Sequence, residues 1–226
     1  MTVVPLVINF GNVSYVDGVD LNADQFYDKL KQSDSLPTTS QPAPADFIRV
    51  YRNLAAEAEG IVSIHISKKL SGTYNSAIMG REAVETNCRI EVIDSLTASM
   101  GLGLVAIQAA RAAQSGATFD QVIEETHRAM ARTHFFGTID TLEYLKKGGR
   151  IGKAQALLGT LLSIKPILHC IDGEVHPLGK ERTRKKALNR LFEMVQDYRD
   201  IRDVTVLHST TPDEAAAFIE RIAPFV

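Results

Sequence analysis

Apolar positions recur along this chain with two different periods, and the switches between them outline the elements. Residues 61–66 (IVSIHI) and 89–94 (RIEVID) are short runs rich in β-branched side chains, which predicts strands. Each is followed by a stretch with helical spacing, about 74–86 after the first and 98–115 then 119–132 after the second. Upstream, residues 3–9 (VVPLVIN) predict a strand that Pro5 confines to a sheet edge. A helix is expected over 21–32, with Asn22 and Asp24 near its start and Phe26 and Leu30 on one face. Pro44 suits the first turn of a further helix, whose Phe47, Val50, Tyr51 and Leu54 fall at i, i+3, i+4 and i+7 before Gly60. Such strand-helix alternation predicts parallel strands with crossover helices.

The pattern changes near residue 134. A short strand is expected over 135–139, a short helix ending at Gly148 and Gly149, and a helical stripe over 153–163 made by Ala154, Leu157, Leu158, Leu161 and Leu162. PILHCI and EVHPL are joined by Asp172-Gly173, which predicts a hairpin with a type I′ turn. A basic helix (about 183–198), a strand VTVLH (204–208) and a last helix from Pro212 follow. The expected architecture is two-lobed: an α/β lobe with a parallel sheet over 1–133, then an α+β lobe over 134–226.

Composition removes several classes of function. Twenty-five basic against 27 acidic residues leave a net charge of −2, which disfavours a protein built to bind nucleic acid or an anionic membrane. No apolar run approaches the ~20 residues that cross a bilayer. The N-terminus shows neither a cationic region nor a small-residue cleavage site, so a cytoplasmic location is expected. Cys88 and Cys170 cannot make a disulfide framework and have no metal-ligand spacing around them.

Candidate chemistry sits in two hydroxyl-rich loops. Ser71-Gly72-Thr73 follows a strand and opens a helix, where unsatisfied N–H groups and a partial positive charge suit a carboxylate or phosphate. Gly72 would let a ligand approach the backbone. The same residues also make an ordinary helix cap. Thr38-Thr39-Ser40-Gln41-Pro42 offers several neutral donors in a proline-stiffened segment, or simply a polar turn. Two basic clusters, one around Lys146, Lys147, Arg150 and Lys153 and one over 180–186, read as solvated faces or as a surface for oxyanions. Gly101-Leu102-Gly103-Leu104-Val105-Ala106 matches a dinucleotide fingerprint in letters only. Six residues separate Asp94 from Gly101, so the glycines fall inside a helix and no nicotinamide site is expected. His65 and His169, in strands, require hydrogen-bond partners if buried.

Taken together, FYDKL (26–30), LPTTSQPAP (36–44), SIHISKKLSGTYNS (63–76), EVIDSLTAS (91–99), TLEYLKKGGRIGKAQALL (141–158), IKPIL (164–168) and RTRKK (182–186) resemble the DegV family of bacterial fatty-acid-binding proteins. That resemblance implies two lobes with a long-chain fatty acid between them and no other cofactor. It implies that Thr39 and Ser40 of TSQP and Ser71, Gly72 and Thr73 of SGT hold the carboxylate. Arg150, with Arg182 and Arg184, matches family positions near the head group or a partner-facing surface. It also implies a carrier rather than an enzyme, presenting the fatty acid to a separate ATP-dependent fatty acid kinase; no phosphate-loop motif occurs in this sequence. Ile64, Ile66, Leu161 and Ile167 are the nominated tunnel liners. The family's opening Asp-Ser strand and closing His-Gly-Pro-Gly segment are not in the sequence. An enzyme or binder acting on small phosphorylated metabolites, or a degenerate non-binding fragment, are the alternative readings.

Overall fold

The computed structural model describes residues 1–159 and 164–226; Leu161 and Leu162 of the expected stripe therefore lie outside the described residues. The chain divides into two compact units, one of residues 1–94 and 109–125, the other of 95–108 and 126–226. Where the sequence pattern placed one change near residue 134, the chain passes between units three times, twice of these within helices.

In the first unit, β1 (Val7–Phe10), β2 (Val13–Val16) and β3 (Thr38–Ser40) form an antiparallel sheet in the order β2-β1-β3. The strand expected at 3–9 thus begins later, and the proline-rich stretch after it contains a strand of its own. Helix α1 (Ala23–Gln32) starts with a reciprocal cap: Asn22 Oδ1 accepts from the Gln25 N–H and Gln25 Oε1 accepts from the Asn22 N–H, both at 2.9 Å. Helix α2 (Pro44–Ala55) has its proline at the first turn, as expected, and Asp46 Oδ2 accepts from the Ala43 N–H at 3.1 Å.

β4 (Gly60–His65) and β5 (Arg89–Asp94) are parallel, in register from Gly60↔Arg89 to His65↔Asp94, and α3 (Thr73–Ala83) connects them. Phe47 and Tyr51 from α2, Ala77 from α3, and Ile61 and Val92 from the strands form the core of this unit. Helices α4 (Ser99–Gln114) and α5 (Phe119–Arg132) have residues in both units. Gly101 and Gly103 lie inside α4, so the fingerprint-like letters belong to a helix.

In the second unit, β6 (Phe136–Thr138), β7 (Lys165–Ile171) and β8 (Glu174–Glu181) form an antiparallel sheet in the order β6-β7-β8. Asp172 and Gly173 both have positive φ, 48° and 80°, the type I′ geometry that Asp-Gly predicted. A short helix α6 (Glu143–Lys147) precedes a 3-10 turn (Gly152–Leu157), which takes up the described start of the expected helical stripe. Helix α7 (Arg184–Gln196) packs Ala187 and Met194 on Ile167, and α8 (Pro212–Ile222) follows. Residues 204–208 make no strand: Val204 and Leu207 are exposed, and no ladder among the described residues includes them. High β-propensity does not make a strand without a partner edge.

Candidate functional site: the start of helix α3

The loop from β4 to α3 is wound around Ser67, whose side chain is fully buried. The Ser67 carbonyl accepts from the N–H groups of Leu70 (2.9 Å) and Ser71 (3.0 Å), and its Oγ accepts from the Lys69 N–H at 3.2 Å. This winding sets Ser71-Gly72-Thr73 at the mouth of α3, with Gly72 as the N-cap residue. Ser71 Oγ accepts from the Thr73 N–H at 3.3 Å and lies 2.8 Å from Thr73 Oγ1. When Thr73 donates across that contact, Ser71 accepts twice and its own proton is left to donate outward. Among the described residues none accepts from the N–H groups of Gly72, Tyr74 or Asn75. These are the first-turn donors that no helix satisfies internally, and they carry the positive end of its dipole. Ser71, one residue before the cap, thus satisfies the Thr73 N–H alone, and the N-cap residue Gly72 makes no side-chain cap bond.

β3 supplies the second set of hydroxyls. Ser40 Oγ accepts from Asn9 Nδ2 at 3.1 Å, and Asn9 Oδ1 in turn accepts from Ser14 Oγ at 2.7 Å, so Ser40 is bound within its own sheet. Thr39 is exposed, and its hydroxyl has no partner among the described residues. The two loops meet through Gln41. Its Nε2 donates to the buried Ser76 Oγ at 3.2 Å, and its carboxamide covers Gly72. A Cβ added at Gly72 would stand 2.1 Å from Gln41 Oε1. Gly72 has φ −74°, open to any residue, so glycine is required here for space. The sequence assigned that space to an approaching ligand; the structure fills it with Gln41.

Beneath this loop runs a polar chain that sequence reading missed. Tyr51 Oη lies 2.8 Å from Ser63 Oγ, which lies 2.7 Å from His65 Nε2. Ser63 and His65 are two apart on one strand and share a face, the period-2 signal that could have paired them. His65 is buried, and burial pushes its pKa from 6.5 down to about 4, against the opposing pull of Asp94. It is neutral at pH 7. Tyr51 is raised by the same desolvation.

The second unit holds the arginines. Arg184 makes a bidentate pair with Glu214, and its Nη1 lies 3.6 Å from Asp140 Oδ2. The hydrogen bond from Arg184 holds the Glu214 carboxyl below its usual range. Arg184 thus ties α7 to α8. Both partners are about one-third exposed, so Glu214→Gln is expected to lower stability by about 1 kcal/mol, an effect that shrinks in high salt. Unfolding midpoints at two salt concentrations would show it. Arg150 Nη1 donates to the Gly148 carbonyl of its own loop at 2.5 Å. Arg182 is exposed and makes no ion pair among the described residues.

Of the nominated tunnel liners, Ile167 is core, Ile64 and Ile66 are half-buried, and Leu161 lies outside the described residues. A cleft of about 420 Å³ in the second unit is lined by His134, Phe136, His169, Leu178, Met194 and Tyr198, and no sequence-nominated residue lines it. Among the described residues no group of three His, Cys, Asp or Glu could hold a metal ion, and no helix is long and apolar enough to cross a membrane.

Comparison with known proteins gives one answer at three levels. A family model described as "Uncharacterised protein, DegV family" matches residues 1–225. A DegV domain-containing protein of Caldanaerobacter subterraneus subsp. tengcongensis is 36% identical over 211 residues, 92% of this chain and 74% of the relative. The crystal structure of DegV, a fatty acid binding protein from Bacillus subtilis, superposes with a TM-score of 0.88 at 32% identity, over 98% of this chain and 80% of that one. A DegV family protein from Thermus thermophilus, whose structure concerns fatty acid binding, has a TM-score of 0.78 at 39% identity, over 85% of this chain and 68% of that one. This chain, with its two units of mixed helix and sheet and its TSQP and SGT loops, belongs to the DegV family.

Proposed function

We propose that the protein binds a long-chain fatty acid, with the carboxylate held at the start of α3 by Ser71, Thr73 and the Gly72 backbone and by Thr39 from β3, while Ser40, turned to Asn9 on the other face of that strand, holds β3 in place. The observation that carries this reading is the meeting of a donor-rich helix mouth with a strand that bears an unpartnered hydroxyl, both in one unit. It is supported by the fatty-acid-binding relatives of like fold. Neutral donors suit this task, because a carboxylate taken from water needs hydrogen bonds more than it needs a buried lysine that would itself require pairing. Affinity comes from the tail: a chain with roughly fourteen methylenes, at ~0.8 kcal/mol each, is worth on the order of 11 kcal/mol when fully removed from water. The head-group donors orient it.

The wider role we propose is that of a cytoplasmic carrier, which presents the carboxylate to a separate ATP-dependent fatty acid kinase, with Arg150, Arg182 and Arg184 of the second unit as candidates for the docking surface. Arg182, exposed and without an ion pair among the described residues, suits docking better than Arg184, which Glu214 already engages.

Native mass spectrometry before and after denaturation tests the binding reading. The wild type is expected to release one fatty acid per chain, and Thr39→Ala with Ser71→Ala to lower its retention about tenfold or more. A wild type that carries and takes up no fatty acid overturns the reading; retention unchanged in the double variant overturns the placement of the carboxylate.

A further inference from the structure

The contact between Gln41 and Gly72 has the form of a latch. Gln41 directly follows the extended residue Ser40 of β3 and precedes Pro42, which is fully buried and disfavours helical backbone at Gln41. Side chains two apart in an extended segment face the same side, so Gln41 and Thr39 project together, with Cα atoms about 7 Å apart at most. The Gln41 carboxamide is spread over Gly72 with three of its atoms within the space of a Cβ: Oε1 at 2.1 Å, Cδ and Nε2 at 2.6 Å. Its Nε2 is anchored on Ser76, which is buried and lies one helical turn after Gly72. Ser76 is in turn bound into the helix by its N–H, which donates to the Gly72 carbonyl at 3.0 Å. One side chain therefore spans the strand that carries Thr39 and the helix mouth that carries Ser71, two segments more than thirty residues apart in sequence.

We infer that Gln41 is a positioning residue for the carboxylate site, holding Thr39 beside Ser71, and that Gly72 is glycine so that Gln41 can lie there. This rests on the proposed fatty-acid site. β3 is only three residues long and all three are exposed, so little else on its outer side fixes where Thr39 points. Without the latch the strand stays paired to β1 along its ladder and through the Asn9–Ser40 bond, but nothing from β3 then ties its exposed side, which carries Thr39, to the helix mouth. The donors would then have to be ordered at the moment of binding, and the cost appears as lost affinity.

The test is a cycle of Gln41→Ala, Gly72→Ala and the double variant, read by palmitate titration of delipidated protein, by hydrogen exchange over residues 38–42 and 71–76, and by thermal melting. Gln41→Ala is expected to weaken palmitate about tenfold, with the melt close to wild type and exchange faster across 38–42. Gly72→Ala, whose Cβ evicts the carboxamide, should lose a similar factor. Once Gln41 is shortened the new methyl has room, so the double variant should be no weaker than Gln41→Ala alone. A merely structural role would move the melt and not give this suppression. Losses that multiply in the double variant, or palmitate affinity at the wild-type level in Gln41→Ala, overturn the inference. A wild type that takes no palmitate overturns the fatty-acid reading instead, and exchange then decides the latch: rates over 38–42 unchanged by Gln41→Ala overturn it, faster rates sustain it.

Discussion

Phe47→Ala should lower the stability of the first unit by about 3–5 kcal/mol, the range for truncating a fully buried aromatic. Phe47 has no exposed surface; its ring meets His65 edge-on at 5.3 Å between centroids and Tyr51 at 5.8 Å. Its Cβ lies hard against α3: a Cβ on Gly80 would be 2.5 Å away. Two helices held this close cannot collapse further into the space the ring leaves, so the cavity term adds to the lost transfer term. Removing the ring also strips one wall from the Tyr51–Ser63–His65 chain. Phe26, a half-buried ring on α1, which has no fully buried residue, is the internal comparison. Phe26→Ala should cost less than half as much. Urea unfolding read by hydrogen exchange in β4 and β5 isolates this unit, and equal losses for the two variants would refute the placement of the core.

Much of this core is legible from spacing alone. Phe47 and Tyr51 occupy i and i+4 of a helix announced by Pro44, and 61–66 and 89–94 carry the β-branched runs of parallel strands. The Asp172-Gly173 turn is equally local, because its two positive φ angles are the property that selects those residues. Elements whose stability depends on a distant partner escape such reading. β2 and β3 expose much of their surface and have little alternation; they exist because Ser14, Asn9 and Ser40 bond across the sheet. In the 152–159 stretch Gly152 and Gly159 take φ of 52° and 83°, which confines the apolar stripe between them to a 3-10 turn. Residues 204–208 show the converse, a strand-like pattern that joins no ladder among the described residues. At the site, Ser71-Gly72-Thr73 was visible as a strand-to-helix turn. Gln41 was read only as one more neutral donor of its loop, since its partners Gly72 and Ser76 lie 31 and 35 positions away and no periodicity links them.

Acidification from pH 7 to pH 5 should remove about 2 kcal/mol of stability through His65 alone. The sign follows from which state takes the proton. Unfolded, the imidazole titrates near 6.5; folded, burial lowers its pKa to about 4. Above 6.5 both states are neutral and the group contributes nothing to the slope. Below it the unfolded chain gains a proton that the folded chain refuses, and stability falls until the folded form also protonates near pH 4, a total of about 3 kcal/mol at about 1.4 kcal/mol per unit. The carboxyls held low by basic neighbours, Asp120 by Arg89, Asp140 by Lys165 and Glu214 by Arg184, lose their contributions at lower pH, beginning near the ordinary carboxyl range. The interval from 6.5 to 5 is therefore dominated by histidine. His169, also lowered by burial, adds a smaller part in the same direction. His65→Gln keeps a hydrogen-bonding group near Ser63 and carries no titrating proton, so its stability should be nearly flat from pH 7 to 5 apart from the His169 share, though lower than wild type at pH 7. Imidazole shifts followed by NMR give the direct reading: a His65 that titrates near 6.5 in the folded protein would remove the physical basis of the acid loss, and with it the reading that burial holds His65 neutral.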